Sequence, residues 1–533
     1  MTTARQPVFD LAVLNATIVD GTGGPAYVDD VAVLGDRIER IGPFRGRAAR
    51  VVDAFGKVLT PGFVDIHGHS DFSLLVDPMA RSKVLQGVTT EVGGNCGHHA
   101  APLFGPLAEQ RRREQMAACG QVVDWSSSAE HRARLRDASP SINYAQQIGY
   151  NSLRSAVTAD RAGPLDAGER ELLRRLVREE YASGAVGLSY GLAYAPACFS
   201  TTEELVDVAR ETAEQGGFIS FHLRNEDATL LESLEEALHV ARITGAPVHI
   251  GHLKTFRRSN WQKIDAAIQL LADARGQGLD LTVDRYPHLA MNTLLKVVLP
   301  IAALEGGDEA MRQRLRAPEV RSALVAELDR TLGGEASEIL ISLVSRPEHK
   351  PLEGCFLDAV ARERGRSPWD ILSEILIDEG DNAFATLFGM NRDNLDRILG
   401  LPYAIVASDA SVQAVHRQSG GLAHPRSFDT FPYFLAEWVF ARNQLDLPTA
   451  IRKITAMPAQ RAGLTDRGVL AEGRFADLTL LDTDVLRAEV DYEKPFRYPE
   501  GVDLVVVNGQ IVVDDGRHSG ARPGRILGRA LRR

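Results

Sequence analysis

The middle of this chain repeats one unit: a short apolar strand, a turn and an amphipathic helix. "ELLRRLVREEYASG" reads as a helix ended at Gly184 and runs into the strand "AVGLSYG". "TTEELVDVARETAEQGG" begins with Thr201 and has Glu204 three residues later, the pattern of a helix capping box, and leads to "FISFHLRNE". "TLLESLEEALHVARITG" precedes "APVHIGHLK", "WQKIDAAIQLLADARGQG" precedes "LDLTVDRYP", and "LPYAIVASDA" near position 400 reads as a last strand. Two folds accept this rhythm, a doubly wound open sheet and a closed (β/α)8 barrel. The polar residues separate them. Histidines and aspartates recur where each apolar strand ends, on many different strands, as at the C-terminal face of a barrel. A doubly wound sheet gathers such groups at one crevice, and no glycine-rich dinucleotide loop follows the first strand. We expect an α/β chain built on a (β/α)8, TIM-like barrel.

A chain of 533 residues exceeds one ordinary domain. The first sixty residues ("DLAVLNATIVDGTG", "DVAVLGDRIERIG", "VVDAFGKVLTPGF") read as short strands and turns. The far end has the same texture in "GRFADLTLLD" and "VDLVVVNGQIVVDD", with Asn508-Gly509 as a hairpin signal. Neither piece buries a core alone, so both termini are expected to build one small β-sandwich beside the barrel. The expected division is 1–60 for the N-terminal part of that domain and 61–435 for the barrel, with an insertion at about 291–350. A helical connection follows at 436–464, and 465–533 forms the C-terminal part and tail. The basic stretch Arg517 to Arg533 reads as a solvated tail.

The formal net charge of -11 gives no basic footprint for a nucleic acid. The N-terminus lacks the pattern of a secretory signal, and no apolar run reaches the roughly 20 residues that span a bilayer, so a cytoplasmic protein is expected. Four cysteines, at 96, 119, 198 and 355, are too widely spaced for a paired zinc motif or a disulfide framework. The last three read as ordinary buried or semi-buried thiols.

The sharpest local feature is "TPGFVDIHGHSD", an apolar strand ending in His67 and His69. Residues i and i+2 of a strand share a face, so both imidazoles can address one cation. Cys96, in "TTEVGGNCGHHA", follows the next strand between glycines; its thiolate is a strong zinc ligand. No cysteine-hydrolase motif surrounds it, so a ligand is favoured over a nucleophile. His222 and His252 end successive strands about one βα repeat apart. His249 lies in the same strand as His252 but faces differently if the strand is regular. Asp409 ends the last strand, where a carboxylate can bind metal and take a proton from water. Lys254 and Arg426 are cations at plausible substrate positions, the arginine offering a bidentate fork for a carboxylate. Tyr190 and Tyr286 follow strands and can donate to a developing oxyanion. His98, His99 and His288 are further pocket-lining candidates.

Together these segments, with "GAVGLSYGLAY", "HPRSFDTFPYFL" and "GVLAEGRFADLTLLD", resemble the amidohydrolase superfamily over nearly the whole chain. Within it they resemble the N-acyl-D-amino-acid deacylases, or D-aminoacylases. The resemblance implies a zinc-dependent hydrolase that cleaves the amide of an N-acyl-D-amino acid, a small-molecule substrate bearing a carboxylate. It implies one zinc held firmly by Cys96, His222 and His252, and a second, weaker position at His67 and His69 that shares Cys96. Asp409 matches the catalytic aspartate, Lys254 and Arg426 residues around the substrate carboxylate, and Tyr190 and Tyr286 pocket tyrosines. The chain departs from the pattern at Ala410, at the length between Asp409 and Arg426, and in "FHLRNE". A dipeptidase or cyclic-amide hydrolase with the same centre is the alternative enzyme, and a non-catalytic ligand-binding barrel the alternative class.

Overall fold

The computed structural model describes residues 8–120, 122–413 and 421–529, and the side chains of 117–119 lie outside that description. The Cys119 side chain is therefore left aside, as are the first seven residues and residues 414–420 of the segment between Asp409 and Arg426.

Eight parallel strands form the barrel: β1 (Phe63–Asp65), β2 (Val88–Gly93), β3 (Asn143–Gly149), β4 (Gly187–Gly191), β5 (Phe218–His222), β6 (Val248–Ile250), β7 (Leu281–Arg285) and β8 (Ala404–Val406). Each pairs with the next in order. A parallel bridge between Gly68 and Ala410 joins the extensions of β1 and β8 and brings the first strand against the last. Alternation along the strands sorts their side chains. Leu188, Tyr190, Ile219, Phe221, Val248, Ile250 and Val283 face outward and pack with Leu205, Leu234, Leu238 and Leu271 of the surrounding helices. The intervening positions are polar and interlinked. Ser220 donates to Gln147 (2.7 Å), Gln147 to Asn95 (2.6 Å), and Asn95 to the carbonyls of Ile66, Gly68 and Val92.

Both chain ends contribute to a nine-stranded sheet. Its seam is the antiparallel pairing of Val58–Pro61 with Leu478–Leu481. One face closes on itself around Leu11, Val13, Ile38, Leu59, Leu480 and Val506, while Val505, Val507 and Val513 belong to a core shared with barrel elements. Asn508 and Gly509 both take positive φ, as a two-residue hairpin turn requires.

Two expectations change. The excursion between β7 and β8 does not end near 350. It builds a three-stranded antiparallel sheet from Ala290–Leu294, Ile339–Leu343 and Phe384–Phe388, with its own apolar core of Leu295, Met311, Leu328, Trp369 and Leu376. The third strand must return to cover that core, so the unit runs on to Phe388. The basic end is not a solvated tail up to Arg529: Tyr144 of β3 accepts from Leu527 N (2.7 Å), and its own N–H donates to Arg525 O (2.9 Å). Backbone pairing outweighs the charge of the segment there. Among the described residues no helix is long and apolar enough to cross a membrane.

Candidate metal centre and active site

The interior polar network ends at a compact cluster on the C-terminal rim. Two groups of donor atoms lie there, each within 4.8 Å: His67, His69, Cys96 and Asp409 form one, and Cys96, His222 and His252 the other. Cys96 belongs to both. Its Sγ lies 3.3 Å from His67 Nε2 and 3.5 Å from His252 Nε2, and His252 Nε2 lies 2.8 Å from His222 Nδ1. His69 Nε2 is 3.0 Å from Asp409 Oδ1. Cys96, His252 and Asp409 all adopt positive φ (52°, 34° and 50°), a conformation that costs a non-glycine residue on the order of 1–3 kcal/mol and is tolerated where the surroundings enforce it. Leaving the strand in this way turns His252 toward the cluster although His249 precedes it in β6.

Carboxylates behind the cluster orient the ring nitrogens. Buried Asp284 of β7 meets His67 Nδ1 and His249 Nε2 through one oxygen, each at 2.7 Å, and accepts the His252 N–H through the other. Glu226 Oε1 lies 2.9 Å from His252 Nδ1. Neither Glu226 nor Asp284 stands out in the sequence. The available signals are an aspartate inside the apolar strand "LTVDR" and a carboxylate four residues beyond His222.

The electrostatics suit a cation. Burial alone would raise the Cys96 thiol, but His67, His252 and His222 hold it well below the usual thiol range. Burial would lower His252, yet Glu226 and Cys96 outweigh burial and the neighbouring Lys254 and raise it to about 10. His67 is likewise held well above its ordinary value against burial, chiefly by Asp284, Cys96 and Asp409. The negative field that keeps protons on these imidazoles would favour a divalent cation in their place, and a thiolate with imidazoles is a zinc donor set. Burial would raise Asp409, but Arg426, His67 and His69 keep its carboxyl well below the normal range.

The remaining candidates separate. Arg426 Nη1 lies 2.8 Å from Asp409 Oδ2, its Nη2 donates to Asn292 O (3.1 Å), and its guanidinium lies 4.7 Å from the Tyr286 ring. The Tyr286 hydroxyl is buried with no hydrogen-bond partner among the described residues. Lys254 is engaged by Glu226 (2.5 Å) and by His252 Nδ1 (2.9 Å), so it braces a ring of the cluster rather than waiting free for substrate. Tyr190 is not in the pocket: it stacks on Phe221 and donates to Leu205 O in the layer between strands and helices. The strand alternation that puts Ser189 inside puts Tyr190 outside. Four residues on, Tyr194 takes the rim position, its ring 4.7 Å from that of His222 and its hydroxyl 3.1 Å from Thr293 Oγ1. His98 and His99 line a cavity of about 370 Å³ beside His69, whereas His288 is paired with Asp429 at 2.9 Å and stacked on Tyr433. Cys198 is buried and its thiol pushed up to about 11 by that burial; Cys355 is half-buried.

Comparison with known proteins gives a consistent picture. Residues 50–513 match the amidohydrolase family. The chain is 32% identical to a D-aminoacylase of Alcaligenes xylosoxydans xylosoxydans, covering 98% of each chain. It is equally, 32%, identical to an N-acyl-D-glutamate deacylase of the same organism, covering 98% of this chain and 97% of that one. Its fold superposes with a TM-score of 0.82 on the N-acyl-D-glutamate deacylase of Bordetella bronchiseptica, at 29% identity over 98% of this chain and 100% of the other. That enzyme was crystallised with zinc and a phosphonate inhibitor that mimics the tetrahedral intermediate.

Proposed function

The chain belongs to the amidohydrolase family, and from that premise we propose that it hydrolyses the amide bond of N-acyl-D-amino acids, yielding a carboxylate and the free D-amino acid. The observation that carries the proposal is the pair of donor groups sharing Cys96, with Asp409 on one side and the arginine fork of Arg426 beside it. In this reading Cys96, His222 and His252 hold one zinc firmly. His67 and His69, with Cys96 and Asp409, offer a second, weaker position. Held by these residues, zinc would supply Lewis-acid polarisation of the amide carbonyl and would lower the pKa of water.

The side chains do the rest. Asp409, ionised in its buried pair with Arg426, accepts a proton from the attacking water. The water oxygen bonds to the carbonyl carbon. As the C–N bond breaks, Asp409 returns the proton to the departing nitrogen. Arg426 recognises the carboxylate next to that nitrogen, and its place over Tyr286 fixes the plane of the fork. Before substrate binds, the same guanidinium faces Asp409, so the incoming carboxylate competes for it and loosens the base from its partner. Lys254 and Glu226 hold His252 in register.

The D configuration and the linear amide are supported by the two deacylase relatives. A panel of N-acetyl-D- and N-acetyl-L-amino acids, both stereoisomers of a dipeptide and a hydantoin, run on protein of known zinc content, tests the reading. Turnover confined to the N-acetyl-D series is expected. Preference for the dipeptides or the hydantoin would replace it with the dipeptidase or cyclic-amide reading.

A further inference from the structure

The chain is as similar to a D-aminoacylase as to a glutamate-specific relative, so identity does not say which substituent the substrate carries. The cavity beside His69 does. Its walls come from two sources. Phe72, Leu103, Phe104 and Leu107 belong to the barrel loops, and Leu294 and Met311 to the inserted unit that faces them. About 370 Å³ of space between them is large enough for an extended group and lies directly against a residue of the metal cluster.

The fixed cations in the lining are already paired. The two fixed cations are Arg111 and Lys296. Arg111 lies 2.7 Å from Asp160 and 3.3 Å from Glu114; Lys296 contacts Asp381 and lies 3.9 Å from Asp308. These four carboxylates line the same cavity, and Asp308 is held further by Arg312 at 3.2 Å, so both fixed cations of the lining are taken up by acids. His99, also in the lining, is held low by burial, at about 3, and stays neutral. Arg426 is not part of this wall. A carboxylate entering here would shed water without gaining an unpaired fixed cation. An apolar chain would lose only its own hydration against apolar walls.

Resting on the deacylase reading, we propose that this cavity selects an extended apolar substituent, acyl chain or amino-acid side chain, and rejects one that ends in a carboxylate.

The test is kcat/KM on zinc-loaded protein in two arms. One arm varies the side chain through N-acetyl-D-alanine, N-acetyl-D-leucine and N-acetyl-D-glutamate. The other varies the acyl group of a D-alanine amide bond through acetyl, hexanoyl and adipoyl. In the arm whose substituent enters the cavity, the apolar member should exceed the acidic one by about 100-fold. The responding arm identifies which substituent is bound. Leu107→Lys, which adds a cation to the wall, should lower KM for the acidic member of that arm and leave zinc content unchanged. Acidic members equal to or better than apolar ones in both arms would overturn the proposal while leaving the deacylase reading intact. So would a Leu107→Lys variant whose KM for the acidic substrate does not fall. No turnover in either arm would overturn both.

Discussion

At the scale of single residues, the donors could be read from the sequence because each sits where a strand stops. His67, His69, Cys96, His222, His252 and Asp409 share that position, and the barrel gathers strand ends from distant segments onto one rim. The groups that orient them were less legible. Asp284 lies inside a strand; its partner His249 comes from the adjoining strand, and His67 becomes a neighbour only after closure of the barrel. Tyr190 shows the limit from the other direction: position near a strand end is not sufficient when alternation points the ring outward. Asp409 carries the residue-level prediction. Asp409→Asn keeps the size of the side chain and leaves the donors Cys96, His222 and His252 in place. Zinc measured by elemental analysis should remain, while kcat falls by about 100-fold or more because the proton acceptor is gone. Parent-like turnover on the same substrate would refute the role of the base.

At the scale of elements, the two segments bearing the rim residues of β1 and β8 are tied by one buried lysine. Lys83 Nζ lies 2.6 Å from Asp65, 3.1 Å from Glu91, and donates to Ser408 Oγ and Ala410 O, each at 2.8 Å. Lys83→Met would strand two buried carboxylates and should cost roughly 3–5 kcal/mol in denaturant unfolding; a change below about 0.5 kcal/mol, within the scatter of ordinary surface substitutions, would show that the tie is unimportant. Nothing in "RSKVLQG" marks this lysine, because its partners are supplied by other strands. Helix ends were more legible. Thr201 caps its helix through Glu204 N as its spacing suggests, but the Glu204 carboxylate turns to Leu165 N instead of closing the box. Between the helices Ser128–Ala138 and Ala167–Ala182, burial raises Glu180 to about 7 despite the hydrogen bond from Ser128. The folded state thus binds this proton more tightly than the unfolded chain. The resulting stability is complete below the ordinary carboxyl value of 4.5, declines as pH rises, and levels off above about 7. The decline amounts to roughly 3 kcal/mol. Glu180→Gln should remove that share of the slope; identical pH profiles for parent and variant would contradict the shift.

At the scale of the whole molecule, the barrel was legible because its rhythm is local and repeats, and the terminal sheet because both ends carry strand texture. The extent of the inserted unit was not, since its third strand returns some forty residues after the second and pairs only in three dimensions. Nor was the docking of the C-terminal segment on β3, where composition suggested solvent. The assembled molecule places the metal cluster at the barrel rim and the inserted unit across the adjoining cavity, so chemistry and selection come from separate layers. The measurement that tests this most directly is a zinc titration of metal-stripped protein, following hydrolysis of a paired N-acetyl-D- and N-acetyl-L-amino acid, for the parent and for Cys96→Ala. Activity on the D isomer should rise with the first equivalent of zinc in the parent and fail to recover in the variant. Activity independent of zinc, or recovered equally by Cys96→Ala, would contradict it.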